Sequence, residues 1–294
     1  KDRYGRIIKD LQPLQEEKRG KDIQLSIDLR LQYLAYRELK AAVQEHRAKA
    51  GSLVLLDAHT GEVLALVNQP SYNPNNRGTI NHTNLRNRAI TDVFEPGSTM
   101  KPLTVAAAIE SGKFRADSRI DTTPGYLRLG RNTIRDHRNY GEIDLTTLLS
   151  KSSNVGASKI ALALDADVIW SMFSRLRLGQ DTGSGFPGER AGLLPYRDNW
   201  RDIELATLSY GYGLSVTTLQ LAQAYTSLAN RGELKPISLL HQNGDHPGVP
   251  VMSAATANTV MKMLEQVVDT GGTGTRAQVE NFRVAGKTGT VHKL

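Results

Sequence analysis

The chain has 294 residues, of which 39% are hydrophobic and 23% are charged. This composition can bury a hydrophobic core, which excludes an intrinsically disordered chain. The net charge of +7 is compatible with several anionic partners, from nucleic acid and lipid headgroups to a cell-wall polymer or a carboxylate substrate. No cysteine is present, which excludes disulfides, thiolate metal sites and cysteine nucleophiles. The longest apolar runs have about five residues, whereas a membrane-spanning helix needs about 20.

The N-terminal part of the chain predicts a linker, a short strand, a helix and a hairpin. Residues 1–22 are polar and highly charged, as in a linker or the end of a preceding domain. Residues 23–27 alternate apolar and polar side chains like a short strand. Asp28 is a helix N-cap candidate, and apolar residues then recur at helical spacing through about Ala48. The arms of the hairpin over 51–67 are almost continuously apolar, which predicts that both of its faces are covered.

The rest of the chain is predicted to be mainly helical. Residues 115–140 are irregular, with room for short strands, and residues 179–195 form a glycine-rich loop. After a glycine cluster at 271–274, strand character returns over 282–291. A strand hairpin first, helices in the middle and a strand last together predict an α/β sheet with a helical insertion. The predicted helices cover residues 98–111, 144–151, 155–164, 166–177, 217–230 and 253–268.

A serine and a lysine stand at the start of the first of these helices. Pro102 has no backbone N–H and is tolerated only in the first helical turn, so the helix begins within about four residues before it. This places Ser98 at the helix N-terminus, with Lys101 on the same face. A hydroxyl one turn from an amine can act as a nucleophile without histidine if burial or nearby positive charge keeps the amine neutral. The alternative is an ordinary exposed pair, because the pattern Ser-x-x-Lys arises by chance about once in such a chain.

Two further polar motifs follow. Ser152-Ser153-Asn154 lies between two predicted helices, where such a triplet is commonly only a helix cap. Lys287-Thr288-Gly289-Thr290 lies in the last predicted strand, whose two glycines permit close approach of a ligand backbone. A lysine with two hydroxyls could hold a carboxylate, and the alternative is a solvated lysine at a strand end. The pattern Lys-[Ser/Thr]-Gly is expected by chance only about 0.1–0.2 times in such a chain.

The occurrence of all three motifs in this order decides between these alternatives. With their neighbours, they resemble the transpeptidase domain of class B penicillin-binding proteins, most closely that of the division-specific type of Gram-negative bacteria. The resemblance runs from about residue 22 to residue 291. It is carried by the segments Asp22–Arg30, Pro70–Asn76, Asp92–Pro102, Lys151–Gly156, Tyr210–Leu214 and Gly286–Thr290.

The resemblance implies roles for the first two motifs. Ser98 would attack the carbonyl of the penultimate D-alanine of a peptidoglycan stem peptide, and Lys101 would take the Ser98 proton. Ser152 would relay a proton to the leaving group, and Asn154 would bond the substrate amide. An amine of a neighbouring stem peptide would then attack the acyl-enzyme and form the crosslink. β-Lactams would mimic the D-Ala-D-Ala end and acylate Ser98 almost irreversibly.

The resemblance also implies roles for the third motif. Lys287, Thr288 and Thr290 would bind the terminal carboxylate of the substrate. Lys287 would in addition help to keep Lys101 neutral. Gly289 would let the substrate backbone pair along the strand edge, in the manner of an added β-strand.

An oxyanion hole and an aromatic wall complete the implied site. The backbone N–H groups of Ser98 and Thr290 would form the oxyanion hole, in which one donor is worth about 3–4 kcal/mol in other enzymes. Tyr210 and Tyr212 match wall positions near the site, and their alternative is to be ordinary core or loop tyrosines. His292 stands where close relatives often have arginine, so a carboxylate contact is not carried over to it. No cofactor and no metal ion is expected.

A fold and a cellular setting follow from the same resemblance. The fold would be α/β, that of penicillin-binding transpeptidases and serine β-lactamases, with an antiparallel sheet flanked by helices and an all-helical subdomain holding the second motif. Residues 1–22 would end a non-catalytic pedestal domain. Residues 23–294 would form a C-terminally incomplete transpeptidase domain, because strands and a helix follow the third motif in this family. An N-terminal anchor outside the chain would hold the protein on the periplasmic side of the inner membrane. The implied partners are peptidoglycan stem peptides, β-lactam antibiotics, a glycan polymerase and division proteins.

Other functions remain to be compared with this one. A serine β-lactamase would need a second base for deacylation, and Glu189 lies in the appropriate interval, although residues 186–190 match the penicillin-binding pattern. A non-catalytic β-lactam sensor would keep the pocket without crosslinking. Nucleic-acid binding is not expected, because the sequence shows no basic helix and no evident interleaving of basic and aromatic residues.

Overall fold

The structure is a computed structural model and describes residues 2–8, 19–76, 78, 81–244 and 246–291. Its α-helices are α1 (Leu29–Glu45), α2 (Arg88–Thr91), α3 (Lys101–Glu110), α4 (Leu145–Lys151), α5 (Asn154–Ala163), α6 (Ala166–Arg175), α7 (Asp202–Leu208), α8 (Thr218–Ala229) and α9 (Ala254–Val268). Its strands are β1 (Gly51–Leu56), β2 (Val63–Gln69), β3 (Arg119–Asp121), β4 (Tyr126–Leu129), β5 (Asn132–Arg135), β6 (Glu142–Asp144), β7 (Glu233–Leu234) and β8 (Val249–Pro250). The strands form the antiparallel pairs β1–β2, β3–β6, β4–β5 and β7–β8.

The predicted helices all form, with ends shifted by a few residues. Asp28 caps α1 as predicted, because its carboxylate accepts hydrogen bonds from the N–H groups of Arg30 and Leu31. The sequence did not predict α7, which has only 7 residues and is too short to show a helical period. In the structure, α7 is held at its start by reciprocal hydrogen bonds between Arg201 and Glu204.

The β1–β2 hairpin is covered on both faces, as predicted from its apolar arms. Ala65 and Val67 of β2 pack against α1 through Ala35. On the opposite face, Val63 packs in a cluster with Leu219 of α8. Side chains two residues apart in a regular strand point to the same face. The pairing is irregular between Leu55 and Leu56, and this irregularity places Val63 on the opposite face from Ala65.

The helices after residue 100 surround a single large core in which α3 is central. The side chains of α3 are buried from Lys101 to Ala108. Glu110, at the C-terminal end of α3, holds the start of α9: its carboxylate accepts hydrogen bonds from the backbone N–H and the hydroxyl of Ser253 and from the hydroxyl of Thr256. The orientation of α9 is thereby tied to that of α3. No helix among the described residues is long and apolar enough to cross a membrane.

Two predicted strands do not form. Residues 23–27 contribute only an isolated bridge between Leu25 and Leu240. Residues 282–291 make no strand ladder, and their contact with α9 includes the N–H of Gly286, which donates to the carbonyl of Leu264 at 3.2 Å. Alternation in a sequence indicates which face a residue would take, but a strand also needs a neighbour that supplies ladder hydrogen bonds. Residues 23–27 have such a neighbour only around the bridge between Leu25 and Leu240, and residues 282–291 have none among the described residues.

Candidate active site

Ser98 lies in a 3-10 turn, Gly97–Met100, that leads directly into α3. Pro102 occupies the first turn of α3, as the sequence predicts from its missing N–H. Because the first N–H groups of a helix have no partner within it, the Ser98 N–H is available to a ligand. Ser98 is half-buried, and its hydroxyl makes no side-chain hydrogen bond with any residue that the structure describes. The reactive oxygen is therefore uncommitted.

The loop Tyr210–Gly213 lies directly against the turn that carries Ser98. The N–H of Gly97 donates to the carbonyl of Gly211 at 3.1 Å, and a Cβ added to Gly211 would lie only 2.1 Å from the Gly97 carbonyl oxygen. Gly211 also has a φ of +88°, a conformation that favours glycine. The N–H of Gly213 donates to Glu95 at 2.8 Å. The loop and the nucleophile's turn therefore hold each other in place.

This loop brings Tyr210 to the site. The ring centroid of Tyr210 is 6.0 Å from the Lys101 amine, and the rings of Tyr210 and Tyr212 meet edge to face at 5.6 Å. Burial, with a smaller effect of Tyr212, raises the pKa of Tyr210 to about 12, so its hydroxyl stays protonated. Both tyrosines thus line one side of the Lys101 environment, and their contact with substrate stays a prediction.

Lys101 is completely buried, and its amine is the centre of the site. Nζ donates to the carbonyl oxygen of Ser152 at 2.6 Å and to Oδ1 of Asn154 at 2.7 Å, and lies 3.1 Å from the Ser152 hydroxyl. Burial and the positive charge of Lys287 hold the pKa of Lys101 well below its usual range, against an opposing effect of Asp136. The site therefore favours the neutral amine, the form that can accept a proton.

Hydrogen counting assigns a direction to the Lys101 lone pair. A neutral amine has two N–H hydrogens, and its two shortest contacts, to the Ser152 carbonyl and to Asn154 Oδ1, are with groups that can only accept. The lone pair then faces the Ser152 hydroxyl. Lys287 Nζ donates to the same hydroxyl at 3.0 Å. The Ser152 hydroxyl thus joins the two amines in one hydrogen-bonded path.

The second motif is both a helix cap and part of the site. Ser152 ends α4 with a φ of +57°, a left-handed conformation that costs of order 1–3 kcal/mol in a residue other than glycine. Ser153 caps α5, because its hydroxyl accepts a hydrogen bond from the N–H of Gly156 at 2.8 Å. The turn between the two helices therefore directs Ser152 and Asn154 toward Lys101 while Ser153 stabilises the turn.

Asp136 holds this turn, and sequence reasoning missed it. One carboxylate oxygen accepts hydrogen bonds from the N–H groups of Asn154 and Val155 at 2.6 and 3.0 Å, and the other accepts from the Ser153 hydroxyl at 2.6 Å. No local pattern pointed to Asp136, because it lies in an irregular stretch and reaches the second motif only through the fold. The one local signal is that Asp136 is a lone carboxylate in a basic stretch, between Arg135 and His137.

The third motif passes over the loop that carries Ser98. A Cβ added to Gly289 would lie 2.9 Å from the Thr99 side chain and 3.2 Å from the Pro96 carbonyl oxygen. A Cβ added to Gly97, whose φ is +58°, would lie 3.1 Å from the Thr290 carbonyl oxygen. The two backbones can approach this closely only because glycine stands at both positions. Thr290 is thereby brought beside the turn of Ser98, as the predicted oxyanion hole requires.

Lys287 and Thr288 face the open side of the site. Lys287 Nζ donates to the Thr288 carbonyl at 2.9 Å, and burial lowers the pKa of Lys287 to about 8. The hydroxyl of Thr288 is 3.1 Å from that of Thr273, in the glycine-rich segment before the third motif. Lys151, at the end of α4, donates to the carbonyl of Gly271 in that segment at 2.6 Å. The exposed Thr288 hydroxyl is therefore oriented from behind by Thr273, which the sequence did not indicate.

The structure brings the three motifs together in one site. The roles that the resemblance implied for their residues stay predictions, and His292 lies outside the described residues. The predicted residues placed in or directly beside the site are Ser98, Lys101, Ser152, Asn154, Tyr210, Tyr212, Lys287, Thr288, Gly289 and Thr290.

Comparison with known proteins identifies the family. Residues 51–294 match the family model of the penicillin binding protein transpeptidase domain. The chain belongs to this family. Over its whole length, this transpeptidase domain is 46% identical to the Escherichia coli protein named peptidoglycan D,D-transpeptidase FtsI. It is 44% identical to the Neisseria gonorrhoeae protein named probable peptidoglycan D,D-transpeptidase PenA. The chain spans about half the length of these relatives, 50% and 51% respectively.

A solved transpeptidase structure confirms the predicted fold class. The transpeptidase domain of penicillin-binding protein 3 from Burkholderia pseudomallei, solved in the apo form, matches with a TM-score of 0.85 and 43% sequence identity. The match covers 94% of this chain and 80% of that structure. The chain thus has the penicillin-binding transpeptidase fold, which serine β-lactamases share.

Glu189 does not have the surroundings of a deacylating base. Its carboxylate accepts hydrogen bonds from the N–H and the hydroxyl of Thr182, both at 2.6 Å, and from the hydroxyl of Ser184 at 2.7 Å. These bonds close the glycine-rich loop on itself. The structure therefore gives Glu189 a role in holding its own loop, and the β-lactamase alternative is not favoured.

Proposed function

We propose that this domain crosslinks peptidoglycan stem peptides through an acyl-enzyme on Ser98. The observation that carries the proposal is the buried Lys101 amine, whose low pKa and hydrogen bond to the Ser152 hydroxyl equip it to move protons. The names of the two relatives, both peptidoglycan D,D-transpeptidases, support the same reaction.

Acylation uses the first motif. The Ser98 hydroxyl transfers its proton to neutral Lys101, whose lone pair turns from the Ser152 hydroxyl to accept it, while the Ser98 oxygen attacks the carbonyl carbon of the penultimate D-alanine. The N–H groups of Ser98 and Thr290 donate to the oxyanion that forms. The proton then passes from Lys101 through the Ser152 hydroxyl to the nitrogen of the terminal D-alanine. The C–N bond breaks, D-alanine leaves, and an ester links the donor peptide to Ser98.

Transfer to the acceptor reverses the direction of the proton. An amine of a second stem peptide attacks the ester carbonyl and loses a proton to the Ser152–Lys101 pair. The Ser98 oxygen leaves and recovers this proton, and an amide bond joins the two peptides. Each step conserves charge within the site because Lys101 is neutral before acylation and again after transfer.

Binding of the donor peptide uses the third motif. Protonated Lys287, with the exposed Thr288 hydroxyl, supplies a cation and a donor for the terminal carboxylate. The Asn154 side chain, which contacts Lys101 and donates to the carbonyl of Arg135 at 3.2 Å, bonds the peptide amide in this proposal. β-Lactams carry the same carboxylate and a reactive amide, and therefore acylate Ser98 in place of the donor.

A penicillin adduct provides the test. Intact-protein mass spectrometry of the domain incubated with benzylpenicillin should show one covalent adduct, peptide mapping should locate it at Ser98, and Ser98→Ala should abolish it. The adduct should persist for hours. Turnover within seconds would instead identify a β-lactamase. Donor thioester and acceptor amine incubated together should also give the crosslinked product, and a labelled domain that forms none would identify a sensor.

The cellular setting is part of the same proposal. The resemblance to division-specific penicillin-binding proteins and the name FtsI of one relative support a role in septal cell-wall synthesis. They also support a membrane-anchored protein on the periplasmic side of the inner membrane, working with a glycan polymerase and division proteins. The division of the chain into residues 1–22 and 23–294 stays a prediction.

A further inference from the structure

The β4–β5 hairpin has one apolar and one basic face. Leu127, Leu129 and Ile134 point to the large core, where Ile134 is buried. The register pairs Tyr126 with Arg135, so their side chains share the opposite face, and Arg128 lies on that face two residues further along β4. Because side chains alternate between the two faces of a β-strand, the arginines point away from the core when the leucines and the isoleucine point toward it.

Four arginines give this hairpin and the residues that follow it a concentrated positive charge. We call it the arginine hairpin, and it comprises β4 and β5 with Arg128, Arg131, Arg135 and Arg138. All four side chains are exposed. Within the described part of the chain, no carboxylate oxygen lies within 4.0 Å of any of their nitrogen atoms. The positive charge of the hairpin is therefore not consumed by internal ion pairs.

Aromatic rings hold three of these arginines in place. The guanidinium carbons of Arg128 and Arg135 lie 5.5 and 5.6 Å from the ring centroid of Tyr126. The guanidinium of Arg138 lies 5.4 Å from the ring of Tyr140. Stacking of this kind orders a long side chain and lowers the entropy that a ligand must overcome. It is also an interleaving of basic and aromatic residues, which the sequence analysis did not find.

The arginine hairpin adjoins the active site. The carbonyl oxygen of Arg135 accepts a hydrogen bond from the Asn154 side chain at 3.2 Å. The next residue, Asp136, holds the second motif through the bonds described above. Asp136 is thus already hydrogen-bonded to the second motif. The exposed arginines of the hairpin lie beside that motif and keep their positive charge unpaired among the described residues.

We propose that the arginine hairpin binds the carboxylates that a stem peptide carries before its D-Ala-D-Ala end. The proposal rests on the proposed function, since it takes the peptide in the groove to be a peptidoglycan stem. Such a stem presents the carboxylates of γ-linked D-glutamate and of diaminopimelate. Exposed guanidinium groups bind carboxylates in bidentate pairs. Proximity to Asn154, which is placed to bond the peptide amide, favours this partner over a lipid surface or a nucleic acid.

The test uses binding rather than catalysis. In the Ser98→Ala protein, NMR titration gives the Kd of two synthetic pentapeptides, one with both internal carboxylates free and one with both amidated. We expect the free-acid peptide to bind more tightly. Its preference over the amidated peptide should fall about three- to tenfold in the triple variant Arg128→Gln, Arg131→Gln and Arg135→Gln. Sodium chloride should reduce the preference of the parent protein in the same way.

A matched control removes three positive charges elsewhere. Arg19→Gln, Arg47→Gln and Lys49→Gln change exposed residues before α1 and between α1 and β1, and this variant should keep the preference. The same substitutions are also made in the protein that keeps Ser98, where labelling by penicillin shows that a variant is folded. If a triple variant does not fold, its single substitutions are tested instead.

An equal preference for the free-acid peptide in the parent protein, the hairpin variant and the control variant would overturn the proposal. Loss of binding to phosphatidylglycerol vesicles or to a single-stranded oligonucleotide, with both peptides unaffected, would overturn it in favour of another anion. Absence of a Ser98 adduct would count against the proposed function alone, because the binding assay does not depend on it.

Discussion

The amine of Lys101 donates to the backbone carbonyl of Ser152 at 2.6 Å, so the proposed general base is positioned by main chain as well as by side chain. The carbonyl points inward because Ser152 has a left-handed backbone at the end of α4. A backbone acceptor cannot rotate away as a hydroxyl can. The position of the Lys101 amine thus depends on the backbone at the end of α4. We expect substitutions of Lys101 to affect the acylation rate more than the stability.

Lys101→Met should abolish acylation with little loss of stability. Methionine fills a similar buried volume but has no basic nitrogen to accept the Ser98 proton, so the acylation rate by benzylpenicillin should fall about 10²- to 10⁴-fold. The melting temperature should stay the same or rise, because a buried amine is replaced by an apolar group. Stopped-flow acylation and thermal unfolding measure the two effects. The exposed Lys262→Met serves as control, and acylation of Lys101→Met at the control's rate would contradict the role of the base.

Lys287 should set an alkaline limit on carboxylate recognition. Its pKa of about 8 means that the ammonium form predominates below that pH and is lost above it. The acylation efficiency for a penicillin should therefore decline as the pH rises through about 8. In Lys287→Arg the cation persists, and the alkaline decline should disappear even if the overall rate is lower. A pH profile of both proteins checks this, and an unchanged decline in the arginine variant would assign it to another group.

Asp136→Asn should act on the second motif and on the pKa of Lys101. Asparagine cannot accept all three hydrogen bonds that the carboxylate accepts, so we expect acylation to slow about tenfold. Asp136 raises the pKa of Lys101, and removing its charge should lower that pKa further. The acid side of the pH profile should therefore move to lower pH, which a purely structural effect would not cause. Asp121→Asn, an exposed carboxylate, is the control and should leave the profile in place.

Gly211→Ala and Gly213→Ala form a matched pair. Both glycines have positive φ, at +88° and +78°, so alanine costs each about 1 kcal/mol in backbone strain. Only at Gly211 does the new Cβ collide with backbone, 2.1 Å from the carbonyl oxygen of Gly97. Gly211→Ala should therefore lose more stability and most of its penicillin labelling, whereas Gly213→Ala should lose little labelling. Similar melting temperatures and labelling for the two variants would show that the loop does not support the Ser98 turn.

The sequence predicted what depends on local pattern. Pro102 determined where the nucleophile's helix begins, and the apolar arms of the hairpin indicated that both its faces are covered. Contacts that exist only through the fold could not be read in this way. Asp136 reaches the second motif across a turn, and Gly97 meets Gly211 across the core. The strand predicted over 282–291 failed for the same reason, since alternation does not supply a hydrogen-bonding neighbour.

The hydrogen bond between Glu110 and Ser253 connects the end of α3 with the start of α9. α3 leads away from Ser98 to this contact, and α9 leads back from it toward the third motif. Gly289 of the third motif then packs against the loop that carries Ser98. The spacing between Ser98 and the third motif therefore depends on the lengths of α3 and α9 as well as on residues 269–286, which join α9 to the motif. One residue more or fewer in α9 would move the end of the helix by about 1.5 Å and rotate it by about 100°. Such a change would displace the start of the segment that carries the third motif, even with every residue of the three motifs in place.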